Sequence, residues 1–120
     1  MKKILIVEDN AKNMYLMDFI LTKKGYAVVK AETGEKGVEL AGREKPDLIL
    51  MDIQLPGIDG YETTRRIRAS GSAGKVPIIA ITSYAMTGDR EKVLAAGCSG
   101  YIEKPIDPEK FVPEVEKHLM

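Results

Sequence analysis

Three short runs of apolar residues constrain the fold of this chain more than any other feature of its sequence. The runs occupy 4–7, 48–51 and 78–81, and every residue in them is apolar. A strand formed by such a run must bury both of its faces, which is typical of a parallel sheet covered by helices on each side. Two weaker runs, at 27–31 and 99–102, predict two further strands.

Longer segments with helix signals separate these strands. Thr33, Asp59 and Asp107 stand where an N-terminal cap is needed, and Pro108 suits the first turn that follows. We predict helices over 13–24, 33–45, 59–69 and 90–96, and a fifth from 107 onward. Pro113 removes a backbone hydrogen bond from that last helix, so we expect a distorted first turn there. Five strand–helix units predict an α/β fold with one doubly wound parallel sheet.

Composition limits the number of domains and the kinds of partner. The chain has 120 residues, which predicts one domain spanning 1–120. Its 18 basic and 18 acidic residues balance, which argues against direct binding of nucleic acid or of a membrane through a basic patch. Cys98 is the only cysteine, so no internal disulfide can form, and a reducing, cytoplasmic setting fits.

Polar residues follow four of the predicted strands at the point where each strand ends. They are Glu8 and Asp9 after the first, Asp52 after the third, Thr82 after the fourth and Lys104 after the fifth. The carboxyl ends of parallel strands share one edge of the sheet, and ligands bind at that edge. The sequence therefore predicts that three carboxylates, a hydroxyl group and an ammonium group meet in one small region.

The chemistry of this cluster favours a metal ion. Two carboxylates about 4 Å apart repel each other by about 4 kcal/mol at an effective dielectric constant near 20, and a divalent cation relieves that repulsion. Ligands that are all oxygen favour Mg²⁺, whereas the absence of His and Cys from the cluster argues against zinc. A carboxylate beside Mg²⁺ and a lysine can attack phosphorus and form an aspartyl phosphate.

Five segments of the sequence resemble the receiver domain of bacterial two-component response regulators. They are ILIVEDN at 4–10, LILMDIQLPGIDG at 48–60, AITS at 80–83, AG at 96–97 and YIEKPI at 101–106. The similarity covers nearly the whole chain, in order and in spacing. It implies a flavodoxin-like (βα)5 fold whose five strands lie in the order 2-1-3-4-5.

The resemblance also implies a role for each acidic residue. Asp52 corresponds to the phosphoacceptor, and Asp9 to a direct Mg²⁺ ligand. Glu8, where many receivers have Asp, corresponds to a ligand that acts through water. The backbone carbonyl of Gln54 would complete the protein ligands of the ion.

Residues that respond to the phosphoryl group are implied in the same way. Lys104 would contact that group, and the Lys104–Pro105 peptide should be cis, as in the family. Thr82 corresponds to the switch hydroxyl and Tyr101 to the switch aromatic. Gln54 and Tyr84 occupy positions that tune the lifetime of the phosphoryl group in the family.

The resemblance implies a signalling domain that catalyses only its own phosphorylation and dephosphorylation. The phosphoryl donor would be a histidine kinase or a histidine phosphotransfer protein, and the output would be contact with a downstream protein target. We expect a stand-alone receiver, with a receiver domain of a larger hybrid kinase or transcription regulator as the alternative.

Other functions are compatible with an α/β fold, and the sequence excludes several. A P-loop enzyme needs a glycine where Ala69 precedes Gly74–Lys75. A flavin-binding protein would place a phosphate after the first strand, where Glu8 and Asp9 would repel it. A haloacid-dehalogenase-like phosphatase needs a second Asp at position 54, where this chain has Gln54. An interaction domain whose acidic edge is inert stays open, and metal titration separates it from a receiver.

Overall fold

Five strands and five helices alternate along the part of the chain that this computed structural model describes. That part is residues 1–71, 73–83 and 87–119, with side chains from residue 90 onward in the last range. The elements are β1 (Lys3–Val7), α1 (Ala11–Lys23), β2 (Ala27–Ala31), α2 (Gly34–Glu44), β3 (Leu48–Asp52), α3 (Gly60–Ala69), β4 (Ile78–Thr82), α4 (Thr87–Ala96), β5 (Gly100–Glu103) and α5 (Pro108–Lys117).

The strands form one parallel sheet in the order β2-β1-β3-β4-β5, which confirms the implied topology. β3 lies between β1 and β4, and Asp52 at its end pairs in register with Ile81. Thr82 pairs with Glu103 of β5. This register places the carboxyl ends of β3, β4 and β5 side by side.

Alternate residues of each strand face two separate apolar clusters. In β1, Leu5 and Val7 belong to the cluster that α2, α3 and α4 cover. Ile4 and Ile6 belong to the cluster that α1 and α5 cover. The sheet is therefore buried on both faces, which is why its central strands contain almost no polar residue until they end.

The predicted caps form, although two helices begin earlier than predicted. Thr33 accepts from the N–H of Lys36, and Asp59 and Asp107 cap α3 and α5 in the same manner. α1 begins at Ala11 rather than residue 13, with Asn10 as its cap, and α4 begins at Thr87 rather than residue 90.

Helix α5 runs through its internal proline without a break. Pro113 lies inside the continuous helix. In the first turn the carbonyl of Asp107 accepts from the N–H groups of both Lys110 and Phe111. The proline therefore does not interrupt the helix, and a shared acceptor such as the Asp107 carbonyl is common at helix ends. No described helix is both long enough and apolar enough to span a bilayer.

The loop after β3 folds back onto the end of that strand. Gly60, the first residue of α3, donates its N–H to the carbonyl of Ile53 at 3.0 Å. A Cβ atom at Gly60 would lie 2.3 Å from the carbonyl oxygen of Asp52 and 2.6 Å from the Cα of Ile53. Only glycine fits this approach, so the backbone around Asp52 is held by close packing.

We expect Gly60→Ala to lower the free energy of unfolding by about 1–3 kcal/mol, because the added methyl group overlaps backbone atoms that cannot rotate away. Urea unfolding measures the change. Gly71→Ala is the matched control, since a Cβ there meets nothing within 4 Å. Equal unfolding midpoints for the two variants would contradict the assigned packing.

Candidate functional site

Asp52 ends the central strand of the sheet in a buried position. Only 2% of its surface is exposed. Its Oδ1 atom accepts a hydrogen bond from the N–H of Gln54 at 3.0 Å and lies 3.4 Å from the Nζ of Lys104. The strand end and the following turn therefore fix the direction of this carboxylate.

Lys104 brings its ammonium group between two carboxylates. Its Nζ lies 3.3 Å from Glu8 Oε1, at nearly the same distance as from Asp52. The N–H of Lys104 donates to the carbonyl of Thr82 at 2.7 Å, which fastens the end of β5 to the end of β4. The peptide between Lys104 and Pro105 is cis, as predicted.

Three carboxylates form a cluster that could hold a metal ion. Glu8, Asp9 and Asp52 each offer an oxygen, and these oxygens lie within 4.8 Å of one another. Glu8 is 1% exposed, whereas Asp9 is exposed. Glu8 Oε1 is buried without a hydrogen-bond donor, although the Lys104 ammonium lies nearby. A buried oxygen in need of a partner, within an all-oxygen donor set, fits Mg²⁺.

Burial and the neighbouring negative charge of the cluster raise the pKa of Glu8. Burial, and then the neighbouring Asp52, raise that pKa from 4.5 to about 7. The N–H of Asn10, which donates to Glu8 Oε2 at 3.2 Å, and the charge of Lys104 both lower it by smaller amounts. Below about pH 7, a protonated Glu8 can donate a hydrogen bond to Asp52, and a bound cation would have to displace that proton.

Thr82 and Tyr101 lie where the sequence places them, on neighbouring strands. Thr82 is buried at the end of β4. Tyr101 is half-buried on β5, in register with Ala80, and its hydroxyl oxygen accepts from the guanidinium of Arg90. Tyr84 lies outside the described residues.

Gln54 contributes its backbone rather than its side chain. Its N–H bonds to Asp52, and the residue is exposed. The metal-binding role of its carbonyl oxygen stays a prediction.

The sequence analysis does not predict two contacts that the structure shows near the site. Asn10 caps α1 and also holds Glu8 through its N–H. The position of Asn10 before an apolar, helical segment is a usable signal for a cap. The contact between Arg90 and Tyr101 joins residues 11 apart on different elements, and no periodic pattern indicates it.

Comparisons with known proteins agree with this geometry. A sequence model of the response regulator receiver domain matches residues 4–116. The polar-differentiation response regulator DivK of Brucella anthropi is 39% identical over 118 residues, which cover 98% of this chain and 96% of that protein.

Solved structures give the same result. The receiver domain of the sensor histidine kinase PA1611 from Pseudomonas aeruginosa, with a magnesium ion in its active-site cleft, is 40% identical with a TM-score of 0.91, over 98% of this chain and 97% of that one. The chemotaxis protein CheY4 of Vibrio cholerae is 25% identical with a TM-score of 0.95, over 99% of each chain.

The raised pKa of Glu8 predicts a pH-dependent stability. Between about pH 4.5 and pH 7 the folded protein keeps a proton that the unfolded chain has lost. The contribution of Glu8 to the free energy of unfolding therefore falls as the pH rises through this range. We expect the wild type, in EDTA, to lose stability relative to Glu8→Gln as urea unfolding is repeated from pH 5 to pH 8.

Magnesium should reverse this loss at pH 8, because a cation stabilises the deprotonated carboxylate. The Glu8→Gln variant serves as the control, since it cannot titrate at this position. Parallel pH profiles of stability for the two proteins would show that Glu8 keeps its ordinary pKa.

Proposed function

Because the chain belongs to the response regulator receiver domain family, we propose that it accepts a phosphoryl group on Asp52 and transmits that event by a change in conformation. One observation carries the proposal. Asp52 is a buried carboxylate at the carboxyl end of β3, and a lysine ammonium and two further carboxylates surround it. We assign 1–120 to a single receiver domain, which the family match over 4–116 supports.

The transfer step follows from the contacts of the two oxygens of Asp52. The Gln54 N–H and the Lys104 ammonium both contact Oδ1. We therefore assign Oδ2 as the nucleophile that attacks the phosphorus of a phosphohistidine. A P–O bond forms while the P–N bond breaks, and the imidazole nitrogen keeps the electron pair. Hydrolysis by water later releases inorganic phosphate and restores the carboxylate.

Glu8, Asp9, Asp52 and the backbone carbonyl of Gln54 would hold Mg²⁺ at this site. The buried Oε1 of Glu8, which accepts no hydrogen bond, and the close approach of the three carboxylates support this assignment. When bound, the ion supplies positive charge that offsets the repulsion between the carboxylates and an incoming phosphoryl group.

Lys104 orients and neutralises the phosphoryl group in this proposal. Its ammonium already lies 3.4 Å from Asp52, and only 15% of its side chain is exposed. A partly buried ammonium is a compact charge that is weakly screened by solvent, which suits a phosphoryl oxygen.

Thr82 and Tyr101 change their contacts and orientation when Asp52 is phosphorylated. The Thr82 hydroxyl would donate to a phosphoryl oxygen and draw in the chain at Ser83, and the Tyr101 ring would then turn inward. A ligand shifts a conformational equilibrium only through its different affinity for the two states. Thr82 supplies that difference, since its bond to the phosphoryl group exists in only one of them.

The partners follow from the family. The phosphoryl donor would be a histidine kinase or a histidine phosphotransfer protein, and the receiver of the signal a downstream protein. A cytoplasmic location is part of the proposal, since Cys98 is an unpaired, buried thiol. The 40% identity to a receiver domain of a sensor histidine kinase supports a second candidate, a receiver domain within a larger hybrid protein.

Asp52→Asn should abolish phosphorylation, because the amide is not a nucleophile toward phosphorus. With acetyl phosphate and Mg²⁺, we expect the intact mass of the wild type to rise by one phosphoryl group, and EDTA should prevent the gain. Asp18→Asn is a matched control, since Asp18 lies on α1 and pairs with Lys30 of β2. Full labelling of Asp52→Asn would refute the assigned acceptor.

Thr82→Ala should separate chemistry from signalling. The variant keeps Asp52 and should gain the same mass, while amide chemical-shift changes at Tyr101 on phosphorylation should shrink by half or more. Thr82→Ser, which keeps the hydroxyl, should restore them. Changes of full size at Tyr101 in Thr82→Ala would show that the signal travels by another route.

A further inference from the structure

The Tyr101 side chain is held by a residue of the neighbouring helix. A guanidinium nitrogen of Arg90 donates to the Tyr101 hydroxyl oxygen, and the guanidinium carbon lies 5.1 Å from the centroid of the ring. One cation thus contacts both the polar end and the aromatic body of the side chain. We propose that Arg90 is a positioning residue that holds Tyr101 in its resting orientation, an inference that rests on the proposed switch role of Tyr101.

The described contacts of the Arg90 guanidinium are with Tyr101 on the neighbouring strand rather than with an acidic residue of its own helix. Among the side chains that the structure describes, the guanidinium makes its polar and ring contacts with Tyr101. Two arginines of α3 differ, since Arg65 and Arg66 both pair with Glu62 on their own helix. Arg90 therefore joins two elements, whereas Arg65 and Arg66 stabilise one.

The helix that carries Arg90 is fixed at its far end. Val93 is buried in the cluster between the sheet and α2, α3 and α4. Gly97 follows the helix, and its carbonyl accepts from the Nε of Arg68 at 2.8 Å. Arg90 precedes Val93 by three residues, so it lies close to the anchored face. The packed helix therefore fixes the position from which Arg90 extends. Whether Arg90 contacts Tyr101 then depends on the orientation of the Tyr101 ring.

The strand next to Tyr101 leaves a path for the ring to leave Arg90. The ring lies at the border of the apolar cluster, and its register partner on β4 is Ala80. Alanine leaves little bulk beside the ring. Thr82 lies two residues further along β4, on the same face of the sheet. An inward rotation would carry the ring across Ala80 toward Thr82 and break both contacts with Arg90.

The contact with Arg90 therefore belongs to the resting orientation alone. An interaction made in one state only shifts the equilibrium toward that state. The cation–π contact alone changes an equilibrium constant by about fivefold, the factor that corresponds to about 1 kcal/mol at an exposed site. Loss of the hydrogen bond adds to this, so removing Arg90 should favour the inward state by about fivefold or more, without any change at Asp52.

The test uses the full chain labelled with 3-fluorotyrosine and observed by ¹⁹F NMR. The chain has five tyrosines, and Tyr101→Phe identifies the Tyr101 resonance by its loss. Spectra of wild type, Arg90→Ala and Arg90→Lys are recorded without metal and then during titration with Mg²⁺ and beryllofluoride, a stable phosphoryl mimic. Arg65→Ala is the matched control for loss of a surface arginine, and circular dichroism checks that each variant folds.

We expect Arg90→Ala to shift the Tyr101 resonance in the metal-free protein and to reach half-conversion at a beryllofluoride concentration several-fold lower than the wild type. Arg90→Lys should fall between the two, and Arg65→Ala should match the wild type. An unchanged Tyr101 resonance, or an unchanged midpoint in Arg90→Ala, would overturn the role of Arg90. A wild type that does not respond to beryllofluoride would instead count against the proposed function.

Discussion

A single ammonium group faces two buried carboxylates at the carboxyl end of the sheet, and the behaviour of the site depends on that imbalance. Lys104 contacts both Glu8 and Asp52, yet it can neutralise only one of them. The excess charge is relieved in the free protein by the raised pKa of Glu8, and a divalent cation would relieve it more completely. Under the proposed function, the same imbalance would make the site responsive to the charge of an added phosphoryl group.

This arrangement requires a sheet that is covered on both faces. The apolar clusters on the two sides bury the strands up to their ends, so Glu8, directly after β1, and Asp52, the last residue of β3, are still withdrawn from water. The cost of burying Glu8 and Asp52 is met by that packing and by the backbone N–H groups of Asn10 and Gln54. Lys104 reaches them because its own N–H is fastened to the carbonyl of Thr82.

The sequence predicts most of this because four of the five strands are marked twice, by an apolar run and by a polar residue at the point where the strand ends. Glu8, Asp52 and Thr82 could be placed at one edge on that basis alone. The order of the strands came from the family resemblance, since periodicity carries no information on which strands are neighbours. The sequence pattern places the start of α4 three residues too late, because the first turn of the helix includes Gly88, a weak helix former. The Arg90–Tyr101 contact depends on the packing of two elements, which local sequence patterns do not specify.

The polar residues of the site come from four different strands, and this has a consequence for protein synthesis. Glu8 leaves the ribosome almost first, whereas Lys104 follows the edge strand β5 near the other end of the sequence. No partial chain that ends before residue 104 contains the whole constellation. Under the proposed function, phosphoryl transfer to a complete site therefore requires a chain whose translation has passed β5.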